Sequence, residues 1–176
     1  MRIAVRRVVT ASLVATIGCT SPAEVLLEDG PFITTDAQFY EASTVGWRYP
    51  QDRFWVVEFT VDLRYTNRAD TPLYIAWDAP KLERYVDGRW ETAYRPVSLL
   101  GGFRRLEPGD AFRREFRIRG HDPRLNVGPK WLTSQLAGLY RVVWAEVRIV
   151  PDVRSPAVPS EYLVSNIFEV AGELPT

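Results

Sequence analysis

The chain has 176 residues, balanced at 22 basic and 22 acidic, with 46% hydrophobic residues that include six Trp, eight Tyr and eight Phe. Zero net charge removes the broad electrostatic attraction on which nucleic-acid binders rely. One cysteine, Cys19, excludes an intramolecular disulfide, and with His121 as the only histidine there are too few ligands for a zinc site.

In chain order, Arg2, Arg6 and Arg7 precede an uncharged run from Val8 to Gly18. That run is shorter than the roughly 20 residues a bilayer demands, and it has the size and flanks of a secretory signal. It closes on Thr16-Ile17-Gly18-Cys19, which resembles the lipobox of bacterial lipoproteins. Ile17 and Gly18 fit that pattern, and Thr16 departs from its aliphatic preference. The resemblance implies cleavage before Cys19 and a lipid anchor on Cys19. Thr20 is not the aspartate that retains enterobacterial lipoproteins in the inner membrane, so the implied location is the outer membrane or outer leaflet of the cell envelope. A rival cleavage after Ala23 would delete Cys19 and release the chain. The expected organisation is a signal peptide over 1–18, a tether over 19–30, one β-domain over 31–172 and a tail over 173–176. Loss of 1–18 would leave 19 basic residues against 22 acidic ones.

A first strand is predicted over 32–40. The clearest element is Phe54 to Thr66, in which Trp55, Val57, Phe59, Val61, Leu63 and Tyr65 alternate with Glu58, Thr60, Asp62 and Arg64. Such alternation marks a half-exposed antiparallel strand. A turn-rich loop, 67–72, leads to a short strand at 73–77. Asp87-Gly88 stands between two strand-forming runs and predicts a two-residue type I′ hairpin. A Pro-Gly turn at 108–109 precedes an alternating strand of Phe112, Phe116 and Ile118 against Arg113, Glu115, Arg117 and Arg119. Residues 120–130 read as a loop and 130–136 as a single helical turn. A long strand spans 138–150, with a bulge or two-sided burial near Val142 and Val143. A proline-rich connection leads to the last strand, 162–170.

Many short strands at turn-punctuated spacing with almost no helical period predict an all-β sandwich or barrel. The segment QLAGLYRVVW resembles the L-x-x-G-x-Y-x-V pattern of immunoglobulin- and fibronectin-III-like domains. The resemblance implies an Ig-like antiparallel β-sandwich of about seven to nine strands, with Leu136 and Tyr140 forming a tyrosine corner. VDGRWETAYRPV and SNIFEV are similar to segments of small Ig-like domains in bacterial exported lipoproteins.

Chemistry-bearing groups are sparse. A nucleophilic relay could use only His121, and no G-x-S-x-G elbow presents a serine. Glu58 and Asp62 share a strand face but read as its wet side. No catalytic residue, metal site or cofactor is expected. Two candidate binding surfaces remain: the arginines Arg113, Arg117 and Arg119, suited to an anionic partner, and the aromatics Trp90 and Tyr94, predicted to share one face of a hairpin strand. Trp47 and Trp131, in loop-like surroundings, are further candidates. The expected function is a non-enzymatic, lipid-anchored interaction module meeting an envelope protein or glycan. Alternatives are a carbohydrate-binding module and an exported proteinase inhibitor acting through the loop 154–160.

Overall fold

The computed structural model describes residues 33–49, 52–76, 80–96, 102–144, 147–151, 158 and 163–175. The expected signal peptide and tether, Cys19, and all of the loop 154–160 except Val158 lie outside the described residues. Within them the chain is all-β and contains no helix.

Strand β4 (Asp52–Thr66) is the longest element. Its alternation acts as predicted: Val57, Phe59, Val61, Leu63 and Tyr65 are buried, whereas Thr60, Asp62 and Arg64 are exposed. One edge of β4 takes β1 (Ile33–Thr35) and β3 (Ser43–Tyr49), and the other takes β9 (Ala111–His121), all antiparallel. A second sheet has the order β2 (Phe39–Glu41), β12 (Phe168–Ala171), β10 (Gly138–Val143), β6 (Lys81–Val86) and β7 (Arg89–Tyr94). Only the β2–β12 pair is parallel. A smaller sheet joins β11 (Val147–Arg148), β5 (Leu73–Ala76) and β8 (Phe103–Leu106); along the chain β5 precedes β6, β8 follows β7 and β11 follows β10.

The buried side chains form one core drawn from all three sheets, the arrangement of a β-sandwich. Aromatic contacts cross it: Tyr65 meets Trp144 edge-on at 6.2 Å, and Phe59 meets Trp131 at 6.5 Å. The loop after β4 is tied down by Asn67, which is fully buried. Its amide donates to the carbonyls of Thr71 and Leu106 at 3.0 Å each, and its side-chain oxygen accepts from the Ala69 N–H. Every polar atom of that side chain is thus matched, which is the condition for burying it without loss.

The predicted hairpin forms between β6 and β7. Asp87 and Gly88 have φ of 47° and 87°, the two positive values a type I′ turn needs. Three expectations are corrected. The single strand predicted over 32–40 is split, because the Asp36 carboxylate accepts from the Tyr40 hydroxyl and the Asp62 N–H and holds a turn there. β1 thereby joins one sheet and β2 the other. The helical turn predicted over 130–136 does not form, since Lys130 and Trp131 bridge to His121 and Tyr94 as short β-contacts. The long strand 138–150 is broken after Val143, where Val142, Val143 and Trp144 are all buried.

Candidate functional site

The arginines singled out from sequence lie on the outer face of the β4–β9 sheet. Arg113, Arg117 and Arg119 are exposed on β9, but carboxylates interleave with them. Arg119 pairs with Glu58 across the ladder at 2.8 Å, and Arg117 pairs with Glu115 at 3.0 Å. Arg113 stands opposite Arg64, at the rim of a shallow concavity of about 400 Å³ that Asp36, Asp62 and Glu115 also line. The face carries interspersed charge of both signs. Paired, exposed ions of this kind contribute little affinity and serve to keep a sheet surface soluble.

Trp90 and Tyr94 do not share a face, which corrects the sequence expectation. The β6–β7 ladder slips between Leu82 and Glu83, so that Glu83 opposes Thr92 and Leu82 opposes Tyr94. Ala93 is the extra residue, and it reverses the side-chain alternation beyond it. Tyr94 therefore turns inward against Phe116 and is buried, and the same burial raises the pKa of its hydroxyl. Trp131 is buried as well. The side chain of Trp47 lies outside the described residues, whereas Trp90 remains partly exposed on the outer face of the five-stranded sheet.

That face holds a feature spread too widely in sequence to be read there. Strand register aligns Phe39, Glu169 and Leu139 across β2, β12 and β10, and Tyr85 with Trp90 across β6 and β7; Leu139 and Tyr85 each stand one residue beyond the Tyr140–Arg84 pair that joins β10 to β6. Ile167 stands two residues before Glu169, on the same side of its chain. The large hydrophobics in this group are well exposed: Phe39 55%, Ile167 54%, Leu139 46% and Tyr85 43%. Tyr85 and Trp90 touch with ring centroids 5.2 Å apart, and the Arg141 guanidinium lies 4.4 Å over Trp90. Scattered exposed hydrophobics are ordinary on a protein surface; here strand pairing gathers four of them and Trp90 on one face, with Glu169 among them.

The band is buttressed by an ionic cluster. Glu83 accepts from Lys81 at 2.6 Å and from Arg141 at 2.9 and 2.8 Å. Burial opposes ionisation of Glu83, yet the two cations outweigh it and hold its pKa below the usual carboxylate range. Arg141 is thus held over Trp90.

The other candidate groups are structural in their contacts. His121 ends β9 rather than lying in the following loop, and its Nδ1 sits 3.1 Å from the Val127 carbonyl. Asp122 is buried and grips the Arg124 guanidinium through both carboxylate oxygens, at 2.6 to 3.1 Å. That hydrogen bonding lowers its pKa. Among the described residues no group of three or more His, Cys, Asp or Glu side chains could hold a metal. Comparison of the chain with protein-family models, curated proteins and solved structures finds no match.

Proposed function

We propose that the chain is a lipid-anchored protein of the bacterial cell envelope whose Ig-like β-sandwich works by binding, not by catalysis. Its partner would be an envelope component, with the lipid on Cys19 confining the domain to the membrane surface. The lipobox-like run ending at Cys19 supports the anchor. The Ig-like reading draws support from the strand order, with β1 and β9 flanking β4 in one sheet and β12, β10, β6 and β7 adjacent in the other. It draws further support from the Tyr140 hydroxyl, which donates back to the Leu136 carbonyl as a tyrosine corner would.

The observation that carries the binding reading is the exposed band Phe39–Leu139–Tyr85–Trp90 with Ile167. A glycan platform would favour rings lying in one plane, but Tyr85 and Trp90 are inclined at 56° and their neighbours are aliphatic, which suits a protein partner better. A photo-reactive amino acid at Leu139 in the full chain, expressed in its own cells, tests this. Cross-linked products from position 139 and none from position 117, on the opposite sheet, are expected. Equal labelling from both positions, or none from 139, would refute the binding face.

A further inference from the structure

We infer that the end of the sandwich where the chain enters β1 faces the membrane, and that the apolar tip Ile149–Val150 at that end dips into the phospholipid headgroup layer. The inference rests on the lipid anchor at Cys19 proposed above and does not depend on the five-stranded face.

Ile33 follows Cys19 by 14 positions. Even fully extended, that length of chain reaches about 50 Å, roughly the length of β4 itself. The anchor therefore keeps the Ile33 end of the domain nearer to lipid than the opposite end. Strand pairing places several other segments at the Ile33 end. Ile33 pairs with Tyr65, one residue before β4 finishes. The backbone of Asn67, just beyond, exchanges hydrogen bonds with Gly109 and Asp110. β5 leaves this loop at Leu73, which pairs with Leu106. Arg148 on antiparallel β11 pairs with Tyr74, so the chain leaving β11 heads past Leu73 toward the same end. It carries Ile149 and Val150 there, 36% and 53% exposed.

Behind this tip, register lines up Arg105, Tyr74 and Arg148 across β8, β5 and β11. The Arg148 guanidinium lies 6.0 Å over the Phe103 ring. An apolar tip backed by arginines and half-buried rings matches the layering of a bilayer surface, where the acyl boundary lies beneath the phosphates. Arginine suits phosphate because its fork presents two parallel N–H donors. The overall charge of this end permits the approach. Residues 64–76, 103–115 and 147–151 hold seven arginines and four acids, and the count is seven to six with Asp36 and Asp62, which stand further back. Two aliphatic side chains alone would bind a membrane weakly, but the anchor makes their contact intramolecular. A protein partner at this tip would have no need of an anchor entering from the same end.

The test uses the lipidated chain, extracted from membranes and reconstituted in vesicles of phosphatidylethanolamine and phosphatidylglycerol. With Cys19 acylated, Val150→Cys supplies the one free thiol for an environment-sensitive dye. Val45→Cys is the control: Val45 is also exposed, and it pairs with Val56, about 30 Å along β4 from Tyr65. Dye at position 150 should emit further to the blue and be quenched about twofold or more by lipids with brominated acyl chains, whereas dye at position 45 should report water. Adding Ile149→Asp should return the dye at 150 to the emission of position 45. All three positions are exposed, and an unchanged urea midpoint shows that each variant is folded. Equal signals at 150 and 45, no quenching at 150, or indifference to Ile149→Asp overturns the inference. Mass spectrometry of the mature chain separates it from the anchor reading. Lipid on Cys19 without quenching at 150 overturns the membrane-facing tip alone, and an unlipidated Cys19 overturns both.

Discussion

The Tyr140 hydroxyl donates a 2.5 Å hydrogen bond to the carbonyl oxygen of Leu136, four residues earlier, with both side chains buried. The bond closes the entry to β10, so the strand that carries Leu139 on its outer side is anchored on its inner side one residue later. Desolvation raises the tyrosine pKa far above its ordinary value, so the hydroxyl remains a donor at any physiological pH. Tyr140→Phe keeps the ring and removes the donor. Because the carbonyl is then buried without this partner, the variant should lose about 1–3 kcal/mol of stability. Urea unfolding measures this, and a midpoint equal to that of the wild type would contradict it.

Asn67 ties two backbone groups of its own loop, at Ala69 and Thr71, to a distant one, Leu106 at the end of β8. Asn67→Ala strands two carbonyls and an N–H in the interior. The expected cost is again about 1–3 kcal/mol, near the upper end, since several groups lose their partner together. Asn67→Asp should also destabilise, because a carboxylate cannot donate to the two carbonyls. Thermal unfolding of both variants provides the measurement, and Asp behaving as wild type would contradict the account.

His121 carries the pH dependence nearest neutrality. Its pKa is lowered first by burial and then by Lys130 and Arg119, with Glu58 opposing. A histidine with a depressed folded-state pKa binds its proton more readily when unfolded. Its contribution to stability is therefore complete above the unfolded value of about 6.5 and is lost as pH falls from there through the lower folded value. Asp122, held low by Arg124, acts in the same direction further into acid, from the ordinary carboxylate range downward. Unfolding midpoints should fall between neutral pH and about pH 5, and His121→Gln should flatten that part of the curve. A profile unchanged by the substitution would show that another group is responsible.

Cys19 tests location separately from binding. Cys19→Ser should abolish labelling of the chain by radioactive fatty acid and move it from the membrane fraction to the soluble fraction. Urea unfolding of the domain, whose described core runs from Ile33 to Val170, should not change. Retention in the membrane by the variant would count against the lipid anchor.

Local features were legible in the sequence wherever the cause was itself local. The period-two pattern of β4 needs only the pleat of a strand with one wet face, and the turn at Asp87-Gly88 needs only two residues that tolerate positive φ. The same reasoning failed where distant groups competed. Trp90 and Tyr94 are four residues apart and by periodicity share a face, yet pairing with β6 inserts Ala93 as an extra residue and turns Tyr94 inward. The segment 32–40 reads as one strand, but the Asp36 carboxylate bonds to Asp62 across the sheet and divides it.

The sequence by itself determined that the chain would be β-rich, where its longest strand and tightest hairpin lie, and how thin its supply of reactive side chains is. Only the tertiary structure decided what the surface offers. Phe39, Tyr85, Trp90 and Leu139 come from four strands and Ile167 from the segment just before a fifth, and each alone is an ordinary hydrophobic in its own segment. They become a band because strand register is set by non-local hydrogen bonding and core packing, which no window of neighbouring residues contains.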